Sequence, residues 1–215
     1  RTFNDAMGAY NVAEHTGLTG DQVTAVATAL RHIMTDFTVE RSGNRTGQVK
    51  KSPADLVDYV YAWSGDAKVL FSVTSEVDKV MSKAIRKRGV LPIGLLTIHY
   101  QRDKAIDFWR GIVRPDGLMY ADPRMTARRY IELSRGRPSQ IGVSPGKLSR
   151  QLASCWNAFY RGELLNHAKV ADELSRVKLL GTPYTGNQPN GFLSILNEVE
   201  RNLDAATVEP QAVAC

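Results

Sequence analysis

The chain is poor in the residues that build covalent staples and metal cages. It has 2 cysteines in 215 residues, Cys155 and Cys215. So few exclude a disulfide framework and point to a reducing cytoplasm. Cys155 falls on the apolar stripe of a predicted helix, where a thiol packs as a small hydrophobe. The 4 histidines, His15, His32, His99 and His167, are scattered. None has a second His or Cys at ligand spacing, so no metal site is signalled. Long apolar runs are missing too. The longest, Val90 to Ile98, is interrupted by Pro92 and Gly94. It is too short to cross a bilayer, which argues against a membrane partner. The first residues lack an apolar core segment, so no signal peptide is expected. The missing initiator Met predicts a trimmed or excised chain. Phosphate-binding glycine loops and the Gly-x-Ser-x-Gly nucleophile turn are absent. No cofactor and no catalytic residue is therefore assigned, and the reading leans away from an enzyme. The remaining enzyme reading is a helical site around His99, Tyr100 and Trp109, because His99 stands in an apolar stretch.

What the chain does have is helical periodicity with start and stop residues. Apolar residues make up 43% and charged residues 23%, an ordinary globular balance that disfavours disorder. A first helix is expected from Phe3 to about His15, stopped by Gly17. Thr19 or Asp21 can cap the second. Val23, Val26, Ala27, Leu30, Ile33, Met34 and Phe37 then follow the spacing that places one stripe on one face. Glu40 to Lys51 reads as a mobile polar loop. Ser52-Pro53-Ala54-Asp55 is a helix start, with a capping hydroxyl, a proline where no N–H is needed, and an acid for the dipole. Leu56, Val57, Val60 and Trp63 form its buried face. A long helical stretch follows from about Asp66 to Arg88, with Ser75 able to divide it and Gly89 placed to stop it.

Pro92 to about Tyr100 reads as a short buried helix. Asp103 can cap the next, with Ala105, Ile106, Trp109 and Ile112 inward. Arg114-Pro115-Asp116-Gly117 is a turn. Asp122-Pro123 opens a helix to about Leu133, and Ser144-Pro145 opens another that ends near Gly162. Leu148, Leu152, Cys155, Trp156 and Phe159 share one face of the latter. Helix is expected again from Leu164 to Leu180, then a loop over 181–191, then a last helix with Phe192, Ile195, Leu196, Val199 and Leu203. The fold class is thus mostly α, a compact domain of about eight to ten helices over 1–204, with a frayed tail at 205–215.

Charge is unevenly placed along this chain. Net charge is +6, but residues 83–161 hold 16 Lys/Arg against 5 Asp/Glu. The segment before them holds 8 against 10 and the segment after 4 against 7. A basic centre between acidic flanks points to a polyanion-facing surface. Three features fit nucleic acid, with double-stranded DNA as the expected partner. Arg135-Gly136-Arg137-Pro138 has the core pattern of an AT-hook, which lays two arginines along a narrow minor groove. The helices on either side carry Arg124, Arg128 and Arg129, then Lys147, Arg150, Gln151 and Asn157, in outline a helix-turn-helix reader with an over-long connection. Lys83, Arg86 and Lys87 share a helical face suited to phosphates. A protein-interaction factor, such as a phage protein that inhibits a host protein, is the alternative partner reading. A homodimer is compatible with either.

Several short motifs recur in a recognisable order. They are Ala29-Leu30-Arg31-His32-Ile33, Ser52-Pro53-Ala54-Asp55, Phe108-Trp109-Arg110-Gly111-Ile112, Gly117-Leu118 with Asp122-Pro123, Arg128-Arg129-Tyr130, and Trp156-Asn157-Ala158-Phe159-Tyr160-Arg161-Gly162. Over residues 22–165 this order resembles the helical region that follows the ParB-like nuclease domain in phage and actinobacterial ParB-like proteins. The ParB-like domain itself, with its nucleotide and phosphate motifs, has no counterpart here. The resemblance implies a phage or plasmid setting and a DNA-associated role, and transfers no nuclease activity and no catalytic residue.

Overall fold

The structure, a computed structural model, describes residues 10–36, 53–75, 79–87, 89–135, 145–165, 170 and 178–182. Among the described residues there are 8 helices and no strand. They are α1 Val12–Thr16, α2 Gly20–Asp36, α3 Pro53–Ser75, α4 Lys79–Ile85, α5 Leu91–Tyr100, α6 Arg102–Val113, α7 Pro123–Leu133 and α8 Pro145–Arg161. The mostly α, multi-helix expectation is correct.

Local chemistry sets most boundaries. Gly17 ends α1 with φ +63°, a left-handed conformation that costs glycine little. Thr19 caps α2 reciprocally with Gln22: the Gln22 N–H donates to Thr19 Oγ1 and the Thr19 N–H donates to Gln22 Oε1. Asp122 accepts the Arg124 N–H at 2.8 Å, and Pro123 fills the first position of α7. Gly117, with φ +78°, closes the turn before it.

Four expectations need correction. The helix opened at Pro53 runs unbroken to Ser75, through Gly65. One internal glycine costs only about 1 kcal/mol, and the burial of Trp63, Ala67 and Leu70 on either side outweighs it. Gln101, not Asp103, occupies the N-cap position of α6; Asp103 lies in the first turn. Gly89 does not stop α4 by a left-handed turn. It permits close approach instead, since a Cβ there would stand 2.8 Å from the Pro145 carbonyl oxygen. The helix expected from Leu164 does not start there, since the Leu165 N–H donates to the Ala121 carbonyl at 2.8 Å and Leu164 is exposed; Val170 is helical, and 166–169 and 171–177 lie outside the described residues. The expected cap at Ser52, the polar loop over 40–51 and the last helix lie outside the described residues.

The core is organised around α5. Leu91 through Ile98 are all buried, which makes this a helix apolar on every side rather than on one stripe. It packs against α2, α3, α6 and α8. Gly94 lets Leu70 of α3 approach where a Cβ would stand only 2.5 Å from Leu70 Cδ2. Thr97, the polar exception, donates to the Ile93 carbonyl at 2.8 Å and accepts the Trp109 indole N–H at 3.0 Å. Phe108, Trp156 and Phe159 meet at ring separations of 5.2 to 6.1 Å and join α6 to α8. Cys155 is buried, and burial pushes its thiol well above the ordinary range. No described helix is long and apolar enough to cross a membrane.

Candidate nucleic-acid interface

Five of the expected basic residues meet at one corner, where α4 ends, α7 ends and α8 begins. Lys83 and Lys87 are exposed and four residues apart at the end of α4. The Lys87 ammonium donates to the Ser134 carbonyl at 3.1 Å, which ties the end of α4 to the end of α7. Arg135 follows at once and is exposed. The Ser149 hydroxyl donates to the Gly89 carbonyl at 2.9 Å, which brings in the first turns of α8. Lys147 and Arg150 stand there, both exposed. A Cβ on Gly146 would lie 3.9 Å from Arg150 Nη1, so the guanidinium folds back over the helix start. A cation beside the positive end of a helix is electrostatically unfavourable alone and favourable once an anion sits between the two.

The other expected contacts are placed differently. Arg86 is half-buried and its guanidinium lies over the Phe71 ring at 5.4 Å, turned towards α3. Arg124 is 17% exposed and fully engaged inside the molecule. Its Nε and Nη2 donate to the two Asp122 carboxylate oxygens at 3.0 and 2.8 Å, and Nη1 reaches Asp107 at 3.2 Å. The Asp122 hydrogen bonds hold the Arg124 guanidinium more firmly protonated than usual, against the opposing effect of burial. Burial on its own would raise the Asp122 carboxyl. The side-chain and backbone hydrogen bonds from Arg124, and its charge, outweigh that and leave the carboxyl below its ordinary range. Arg128 pairs with Glu132 at 2.9 Å and donates to the Ile112 carbonyl at 2.9 Å, so it caps the end of α6. Arg129 is exposed and donates to the Tyr120 hydroxyl at 3.2 Å. Arg137, and with it most of the AT-hook pattern, lies outside the described residues.

Charge pairing separates the two groups. Among the described residues, Lys83, Lys87, Arg129, Arg135 and Arg150 have no carboxylate within ion-pair distance, whereas Arg124 and Arg128 do. The helix-turn-helix outline does not hold as drawn. Residues 151–158 of α8 are buried throughout, including Gln151 and Asn157. Asn157 is a clamp instead: its amide donates to the Lys178 carbonyl, and its carbonyl oxygen accepts the Leu180 N–H at 2.8 Å. Outward charge on α8 is confined to its first turns and to Arg161 at its end, which pairs with Glu163, too little to read a groove by lying in it.

Two features were not expected from sequence. Met119 and Tyr120 are 64% and 73% exposed, on the segment between Gly117 and Asp122. Their sequence signal is that they belong to no helical stripe. His99 does have a charged partner: its Nδ1 lies 2.7 Å from Asp66 Oδ2, and its ring stacks on Trp63 at 4.5 Å. This pair braces α3 against α5. No described Ser, Cys or Lys is bonded to His99, and no described group of three His, Cys, Asp or Glu could hold a metal. Comparison with protein families, with curated proteins and with solved structures gives no match.

Proposed function

We propose that this chain is a non-enzymatic DNA-binding protein that holds phosphates at the α4–α7–α8 corner. The observation that carries the reading is that exposed cations from three helices gather there, and Lys83, Lys87, Arg135 and Arg150 meet no carboxylate among the described residues. A surface that keeps like charges together without counter-charges costs folding energy, and a polyanion recovers it by releasing its own counterions. The resemblance to the helical region of ParB-like proteins agrees with a phage or plasmid setting.

The test is duplex binding by fluorescence anisotropy across a salt series. Four phosphate contacts give a log–log slope of about −3.6, or roughly a 100-fold loss between about 50 and 200 mM salt. Joint substitution Lys87→Glu, Arg135→Glu and Arg150→Glu is expected to abolish measurable binding while leaving the far-ultraviolet spectrum unchanged. Salt-independent binding, or none at low salt, defeats the reading. A partner retained from host lysate after nuclease treatment, and lost in the same triple variant, would assign the corner to an acidic protein instead.

A further inference from the structure

We infer that Tyr120 and Arg129 form a stacking platform for one unpaired base of the bound nucleic acid. This rests on the phosphate-binding reading of the corner and adds a second kind of contact to it. Tyr120 is 73% exposed, and Met119 beside it is 64% exposed, so neither ring nor thioether is held by the core. Yet the tyrosine is not loose. Its hydroxyl accepts a hydrogen bond from Arg129 Nη1 at 3.2 Å, which orients the phenol against a guanidinium. Its segment is anchored by the Asp122 N–H on the Met119 carbonyl at 2.9 Å and by the Leu165 N–H on the Ala121 carbonyl at 2.8 Å. Leu164, exposed on the other side of that last bond, gives the patch an apolar edge.

An aromatic face joined to a guanidinium plane is the surface on which unpaired bases stack. Charge selects this occupant. Three of the nearby carboxylates are taken: Asp122 by Arg124, Glu132 by Arg128 and Glu163 by Arg161. Arg129 keeps its positive charge without a carboxylate among the described residues. Position agrees with a single strand reaching both contacts. Tyr120 precedes the 11-residue α7 and Arg135 follows it. At about 1.5 Å per residue α7 is about 16 Å long, the rise of roughly five stacked nucleotides. A blunt duplex keeps its bases paired and offers the platform nothing.

The experiment compares a fluorescent oligothymidylate of roughly 20 nucleotides, long enough for both contacts, with a blunt duplex of the same length. Wild type, Tyr120→Ala, Tyr120→Phe and the triple corner variant are each titrated at low salt. Tyr120→Ala is expected to weaken single-strand binding about 5- to 150-fold, the range for one stacked base, and duplex binding less than about 2-fold. Tyr120→Phe keeps the ring but loses the bond to Arg129, so on the single strand it falls between wild type and Tyr120→Ala, and on the duplex it stays close to wild type. An equal loss on both probes, or no loss on the single strand while the corner variant weakens both, overturns the platform and leaves the corner reading standing. Failure of wild type to bind either probe overturns both. Self-association in sedimentation that Tyr120→Ala removes, with oligonucleotide binding unchanged, reassigns the patch to a second copy of the chain.

Discussion

Replacing Asp122 tests the joint where α6, α7 and Arg124 meet. The carboxylate has two tasks that two substitutions separate. It caps α7 by accepting the Arg124 N–H at 2.8 Å, and it binds the Arg124 guanidinium through both oxygens. Asp122→Asn keeps a capping oxygen and removes the charge. Asp122→Ala removes both. Loss of an N-cap costs about 1 kcal/mol. Loss of hydrogen bonds to a charged group costs about 1.5–3 kcal/mol. Asp107, 64% exposed, is a poor substitute partner for Arg124. Asp122→Asn is therefore expected to lose about 1.5–3 kcal/mol and Asp122→Ala about 2.5–4 kcal/mol, read as midpoint shifts in urea at constant slope. The pH dependence follows from the lowered carboxyl. A carboxyl held below its unfolded value adds stability that is present above that unfolded value. That stability is lost as pH falls through the folded one. Wild type should therefore lose an acid-sensitive part of its stability that Asp122→Asn lacks. Equal midpoints for Asn and Ala, or parallel acid profiles for wild type and Asn, would refute the assignment.

Two further substitutions test the packing. Thr97→Val keeps the shape of the side chain but leaves the buried Trp109 indole N–H without its acceptor. That should cost about 1–3 kcal/mol. At about 2–4 °C per kcal/mol for a chain of this size, the melting temperature should fall by several degrees, and Thr97→Ser should recover most of it. Gly89→Ala places a Cβ 2.8 Å from the Pro145 carbonyl oxygen and 3.1 Å from Leu148 Cβ. Overpacking of this kind costs about 1–3 kcal/mol. Because it pushes the start of α8 from the end of α4, duplex binding should weaken even at temperatures where the variant is fully folded. A Gly89→Ala protein with wild-type stability would show that this approach is not close.

The elements best read from sequence are those fixed by local chemistry. Asp122-Pro123 to Leu133, the Thr19 cap and the Gly17 stop depend on neighbours within a few residues, and sequence contains those neighbours. The errors come from distant partners. Arg124 reads as an exposed helix residue until α6 is packed beside it and Asp107, 17 positions away, comes within reach. Gln151 and Asn157 read as an outward polar face, but Asn157 is covered by the segment at 178–182. The helix opened at Pro53 and the stretch from Asp66 read as separate segments, because the burial of Trp63, Ala67 and Leu70 that carries one helix through Gly65 is tertiary. The basic corner was legible as a surplus of charge along the chain. Which cations share it was not, because the contacts of Lys87 with Ser134 and of Ser149 with Gly89 span 47 and 60 positions.

The almost wholly apolar α5 has one more consequence, for how the molecule opens. It touches α2 and α3 from the first half of the chain and α6 and α8 from the second. Neither half can detach without baring the buried, almost wholly apolar run from Leu91 to Ile98 to water. Partial opening is therefore penalised from both directions, and the two halves are coupled into one cooperative unit. In native-state hydrogen exchange, the amides of Leu95, Leu96 and Ile98 should exchange only through global unfolding, at one shared free energy. The exposed segment holding Met119 and Tyr120 should exchange by small local excursions. The surface can thus adapt to a partner while the centre keeps a single arrangement.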